Sequence, residues 1–146
     1  MKKLPVWLES KVDPIELLFR LIVGGIFIFA GYNKLIDLQA FELAVRNYSI
    51  FNDPWVAILV MILPPFELLV GLLIVLRTLY MGSLVLVISL TLTFIFALCS
   101  LLLRDINIEC GCLGLSNSIE LQILIDITIL GACVYLFKSF RKTAEN

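Results

Sequence analysis

The chain has 146 residues, 61% of them hydrophobic, and a mean hydropathy of +1.05. Soluble domains are about 45–50% apolar, so this composition excludes an ordinary soluble domain and indicates an integral membrane protein. The net charge of −1, without any basic run, argues against nucleic acid as a partner. Histidine is absent, which removes the commonest metal ligand and the usual general base.

Four long apolar segments follow one another along the chain, at about residues 15–35, 54–76, 78–103 and 119–137. Each has close to the ~20 residues that a helix needs to cross a ~30 Å hydrocarbon core. Because lipid cannot satisfy backbone polar groups, the segments should be helices. We therefore predict an all-α fold, a four-helix transmembrane bundle that forms one domain over residues 1–146.

Basic residues are unevenly distributed between the two ends of this predicted bundle. Seven lie in the N-terminal segment, the short turn between the second and third spans, and the C-terminal segment. Three lie in the other two connections, namely Lys34, Arg46 and Arg104. The positive-inside rule then predicts that both termini are cytoplasmic and that residues 32–53 and 104–118 face outward. We expect a multi-pass protein of the bacterial cytoplasmic (inner) membrane.

The outward connection before the fourth span contains the sequence Cys110-Gly111-Cys112. Disulfides form and persist outside the bacterial cytoplasm. A disulfide between residues two apart closes a small strained ring, and Gly111 tolerates the backbone angles that such a ring requires. Strain makes a disulfide easier to reduce, and the nearby helix N-terminus favours a thiolate. This pattern favours an exchange centre. The alternative is that both cysteines form ordinary structural bridges or that one of them is unpaired.

The other cysteines lie within predicted spans. Cys99 is close enough to the outer end of the third span to join the pair as a third redox cysteine, or it is a small hydrophobic residue of the core. Cys133 lies near the cytoplasmic side and is interpreted as packing. We expect no metal site, because two thiolates supply only half of a typical zinc shell.

Charged residues inside spans are costly and therefore candidates for function. Arg20 and Glu67 are predicted to pair inside the bundle, either to fix helix register or to handle protons beside a bound quinone. Asp126 has three candidate roles: pairing with Lys34, pairing with Arg104, or accepting a proton from the thiol site. A lipophilic quinone is a candidate cofactor near Pro64-Pro65, where the helix should kink, although no motif identifies it.

Taken together, these residues resemble the MauE branch of the DoxX-like superfamily of redox-associated membrane proteins. The resemblance is carried by Arg20 and the segment 30–35 in the first span, by 65–68 in the second, and by 110–114 outside. Leu113 stands where the family more often has phenylalanine. The resemblance extends from Arg20 to about Lys138.

The resemblance implies a four-helix membrane bundle that works with an extracytoplasmic thioredoxin-like partner in forming or transferring disulfides. The leading hypothesis is a membrane thiol–disulfide relay, that is, a thiol–disulfide oxidoreductase in which Cys110 and Cys112 exchange electrons with that partner, with quinone as a candidate acceptor. The alternative hypothesis is a non-catalytic membrane scaffold that holds a redox partner. Either function requires the lipid bilayer.

Overall fold

The computed structural model describes residues 13–104 and 119–145. These residues form five helices and no strand: α1 (Pro14–Ile36), α2 (Leu38–Asn47), α3 (Trp55–Leu76), α4 (Tyr80–Leu103) and α5 (Ile119–Glu145). Helices α1, α3, α4 and α5 are long and apolar enough to cross a membrane. The prediction of an all-α protein with four spans is confirmed. The orientation of the termini stays a prediction.

The four long helices pack in the order α1, α3, α4, α5 around the bundle, and α5 closes the ring against α1. Their shared interior is a cluster of buried aliphatic and aromatic side chains contributed by all four. Its fully buried members, each 0% exposed, include Val23, Val70, Ile74, Leu84, Val87 and Leu136. The outer faces remain covered with large exposed apolar side chains, as expected for helices whose solvent is lipid.

Helices α1 and α3 make the closest contact in the bundle, and glycines allow it. A Cβ on Gly31 would lie 2.8 Å from the Pro64 carbonyl oxygen, and one on Gly71 would lie 2.9 Å from the Gly24 carbonyl oxygen. Small residues let transmembrane backbones approach in this way. Gly24 faces Gly71 and Gly31 faces Pro64, so the two helices run antiparallel with a fixed register.

Helix α3 continues as one helix through Pro64 and Pro65. Each proline removes one donor from the helical hydrogen-bond ladder, but the double proline does not divide the span. Pro64 is buried against α1.

The short helix α2 was not predicted, because residues 32–53 were interpreted as an outward connection. The Asp37 side chain caps it by accepting a hydrogen bond from the Ala40 backbone N–H at 2.9 Å. Its apolar face buries Phe41 and Val45 against Val56 and Val60 of α3. Helix α2 is therefore an amphipathic helix that covers one end of the bundle. We call this the α2 end.

Candidate functional site

A buried ion pair between α1 and α3 is the central polar feature of the bundle. The Lys34 Nζ donates to both carboxylate oxygens of Glu67, at 2.6 and 2.8 Å. Lys34 is 3% exposed and Glu67 is 0% exposed. The Lys34 ammonium also lies 4.7 Å from the ring centroid of Phe94 and 5.3 Å from that of Phe41. The charge is therefore held by a carboxylate and two aromatic rings.

The predicted pairing of Arg20 with Glu67 is wrong. Arg20 instead donates to the backbone carbonyls of Ile74 and Val75 at the end of α3, at 3.2 and 2.6 Å. The helix register explains the difference, because it sets Arg20 level with Val75, about 12 Å along α3 from Glu67 at 1.5 Å per residue. Arg20 thus stabilises the C-terminus of α3, where the helix dipole favours a cation.

Two polar side chains of α5 complete the site. Gln122 Nε2 donates to Asp126 Oδ1 at 3.4 Å, and both residues are buried, at 4% and 3% exposure. The Oε1 atom of Gln122 accepts no hydrogen bond within the part of the chain that the structure describes. Arg104, a predicted candidate partner for Asp126, donates to the backbone carbonyl of Tyr48 at 3.2 Å.

These groups line a cavity of about 130 Å³ at the α2 end of the bundle. All five helices contribute to its walls, which are mainly aliphatic and aromatic. The polar side chains Lys34, Glu67, Gln122 and Asp126 lie among these apolar walls. Largely apolar pockets with a few convergent polar groups are typical ligand sites in proteins. The apolar lining includes Ile26, Phe27, Phe41, Phe51, Leu59, Leu63, Phe94, Leu98 and Ile129.

The sequence profile of one protein family, described as methylamine utilisation protein MauE, matches residues 12–139. The chain belongs to the MauE family. The matched range contains the first three candidate spans, the fourth as far as residue 139, and the cavity residues Lys34, Glu67, Gln122 and Asp126. The resemblance to MauE proteins drawn from the sequence is confirmed. Comparison with curated proteins and with solved structures found no match.

The cysteines of this MauE-family member fall into three groups. Cys110 and Cys112 lie outside the described residues. Cys133 is fully buried within the core cluster, which agrees with the interpretation as packing. Cys99 is exposed on the surface of α4, so it is not a residue of the core. Its participation in a relay stays a prediction.

Sequence reasoning missed three components of this MauE site: Gln122, the rings of Phe41 and Phe94, and the partner of Glu67. A usable signal existed for Gln122, since it lies four residues before Asp126 and such residues share a helix face. The two rings are indistinguishable in the sequence from the many other apolar residues. Identifying the partner of Glu67 required the register between α1 and α3, which the contacts of the folded bundle show.

Proposed function

We propose that this MauE-family protein is a thiol–disulfide relay of the bacterial cytoplasmic membrane. In this proposal, Cys110 and Cys112 face outward and exchange electrons with an extracytoplasmic thioredoxin-like protein. One observation supports the proposal most strongly: the segment that carries both cysteines begins and ends at the α2 end, beside the buried polar cavity.

The contacts at both ends of that segment support this argument. At its start, Arg104 bonds to Tyr48, which follows α2 and lines the cavity. At its end, α5 begins at Ile119, and the first turns of α5 bring Gln122 and Asp126 to the same cavity. A redox pair in this segment would connect an external partner with the cavity of the bundle, whose mainly apolar walls include four polar side chains.

The proposed chemistry is disulfide exchange. A thiolate of the reduced partner attacks one sulfur of the Cys110–Cys112 disulfide, and the other cysteine leaves as a thiolate. The second partner thiol then attacks the mixed disulfide, so the partner gains a disulfide and the Cys110–Cys112 pair gains two electrons. The same steps run backwards if the partner is the more oxidising of the two.

The test is single-cysteine trapping. Cys110→Ser and Cys112→Ser should each abolish disulfide transfer to a thioredoxin-like partner while leaving membrane insertion intact. One of the two variants should also accumulate a mixed disulfide, because the resolving thiol is gone. Cys133→Ser is the buried control and should retain transfer. Cys99→Ser tests whether the exposed thiol of α4 takes part in the relay. Loss of transfer in Cys99→Ser would add that residue to the relay.

Retention of full transfer by both Cys110→Ser and Cys112→Ser would overturn the relay. The non-catalytic scaffold for a redox partner would then take its place.

The orientation has a separate test that uses exposed positions at opposite ends of the bundle. Asn52 precedes α3 at the α2 end, and Thr78 lies in the turn between α3 and α4. With the native cysteines replaced by serine, Asn52→Cys should react with an impermeant thiol reagent on intact cells, and Thr78→Cys should not. The opposite labelling pattern would place Cys110 and Cys112 in the cytoplasm.

A further inference from the structure

The cavity is large enough to hold one six-membered ring. Its volume is about 130 Å³. An apolar cavity of about 150 Å³ engineered in another protein accepts benzene, so a six-membered ring fits a space of this size. The Phe41 and Phe94 rings on the walls offer faces and edges against which a flat ligand can pack.

The polar groups restrict the chemistry of that ring. The Lys34 ammonium is a donor for a ligand oxygen that gains electron density. The Oε1 atom of Gln122 is a buried acceptor without a partner among the described residues, and leaving a buried acceptor without a hydrogen bond is destabilising. A ligand hydroxyl would satisfy it. The cavity therefore suits a ring whose oxygens accept hydrogen bonds in one redox state and donate them in the other.

An apolar depression on the surface of α3, which we call the α3 groove, adjoins the cavity. A second pocket, of about 160 Å³, is lined by Ile58, Leu59, Ile62, Leu63 and Phe66, and it shares Leu59 and Leu63 with the cavity. Ile58 and Ile62 are exposed on the outer face of α3, which lipid covers in a membrane. The groove suits a hydrocarbon tail whose ring occupies the cavity.

We propose that the cavity binds a single-ring, lipid-soluble quinone, with its tail in the α3 groove, and that this quinone accepts the electrons of the Cys110–Cys112 pair. The evidence for the binding site comes from the cavity alone, whereas the electron transfer depends on the proposed relay function of Cys110 and Cys112. In that step two cysteine thiols lose two electrons and two protons and form one S–S bond. The two quinone carbonyl oxygens take up both electrons and both protons, which gives the quinol.

The test measures binding of decyl-benzoquinone to the full chain in lipid nanodiscs, with empty nanodiscs subtracted. Binding should saturate near one quinone per chain. Ala97→Leu adds three carbons to the cavity wall and should weaken binding at least tenfold. Ala57→Leu makes the same addition at an exposed position of α3 outside both pockets and should leave binding unchanged.

A second variant tests the site independently, in case Ala97→Leu does not fold. Gln122→Leu keeps the cavity apolar and removes the acceptor, so it should weaken binding of the reduced quinol by about tenfold, the equivalent of ~1.4 kcal/mol, and that of the quinone by much less. A merely structural role for Gln122 would weaken both forms equally. Thr128→Val, on the exposed face of α5, is the matched control.

Absence of saturable binding, or equal effects of Ala97→Leu and Ala57→Leu, would overturn the quinone site. If disulfide transfer still depended on Cys110 and Cys112, the relay proposal would stand, and its electron acceptor would be a molecule other than a quinone in this cavity. Conversely, saturable binding in a protein whose cysteine variants retain transfer would keep the site and overturn the relay. The two proposals therefore fail in different measurements.

Discussion

Replacing Lys34 by methionine should destabilise the bundle strongly, because it removes the cation that pairs with the buried Glu67 carboxylate. Glu67 is 0% exposed, and its described hydrogen bonds are the two from Lys34 Nζ. Removing one partner of a buried ion pair costs about 3–5 kcal/mol in soluble proteins, and a lone charge at the centre of a span costs about 2.5–3.5 kcal/mol on insertion scales.

Protonation limits this cost. From an ordinary glutamate pKa of about 4.3, neutralising the carboxylate at pH 7 costs about 3.7 kcal/mol. We therefore expect Lys34→Met to lower the free energy of unfolding by about 3 kcal/mol at pH 7, and by less at pH 5. Glu67→Gln should also destabilise the protein, because it leaves the Lys34 ammonium with its two aromatic rings and no carboxylate.

A double-mutant cycle separates the pair from ordinary packing. Reversible unfolding in mixed micelles of a mild detergent and dodecyl sulfate supplies the four free energies. Because apolar replacement of a whole buried pair is often nearly neutral, Lys34→Met combined with Glu67→Leu should cost less than Lys34→Met alone. Glu42→Ala, which breaks an exposed contact with Arg46, is the control and should cost less than about 1 kcal/mol. Additive effects of the two buried replacements would refute this account of the ion pair.

Three further outcomes are expected. Gly24→Ala should lower the free energy of unfolding by about 1–3 kcal/mol, because its Cβ would lie 2.9 Å from a backbone oxygen of α3. A Cβ on Gly25 would meet no neighbouring helix within 4 Å, so Gly25→Ala should not destabilise the protein. Equal thermal denaturation of the two variants would contradict the helix contact. Hydrogen bonds from Arg46 lower the pKa of Asp53, so this pair adds stability above the ordinary aspartate pKa of about 3.9 and loses it as the pH falls through the lowered value. Denaturation curves between pH 2 and 5 should show this acid loss in the wild type and not in Asp53→Asn, and parallel curves would exclude the contribution. Leu79 has a φ of 48° and is 79% exposed, so Leu79→Gly should relieve about 1 kcal/mol of backbone strain; a lower melting temperature would argue against that conformation.

The four spans were predictable because the hydrocarbon core of a bilayer requires apolar side chains along a spanning helix, and hydropathy measures this property directly. A helix must keep about 20 apolar residues in the bilayer, and α1, α3 and α4 differ from their predicted bounds by at most two residues. Helix α5 continues to Glu145, well past the predicted end at 137, because a helix does not have to stop where the apolar segment stops.

Helix α2 and the ion pair were not predictable in the same way. Helix α2 has ten residues and only two buried apolar side chains, so its sequence looks like that of a loop. Its apolar face is recognisable only when it is packed against α3. The choice between Arg20 and Lys34 as the partner of Glu67 depends on the register of α1 and α3. Hydropathy carries no information about register, and the contacts of Gly24, Gly31 and Gly71 that define it are visible only in the folded bundle.

The positions of Lys34 and Glu67 also set an order for biogenesis. Lys34 leaves the ribosome first, and Glu67 follows 33 residues later. Until then Lys34, near the C-terminal end of α1, can keep its ammonium among lipid head groups by extending its flexible stem. Glu67 lies mid-helix, has a shorter side chain and cannot do so. Lys34 is therefore already available when Glu67 enters the membrane. We expect integration of the second span to depend on correct placement of the first.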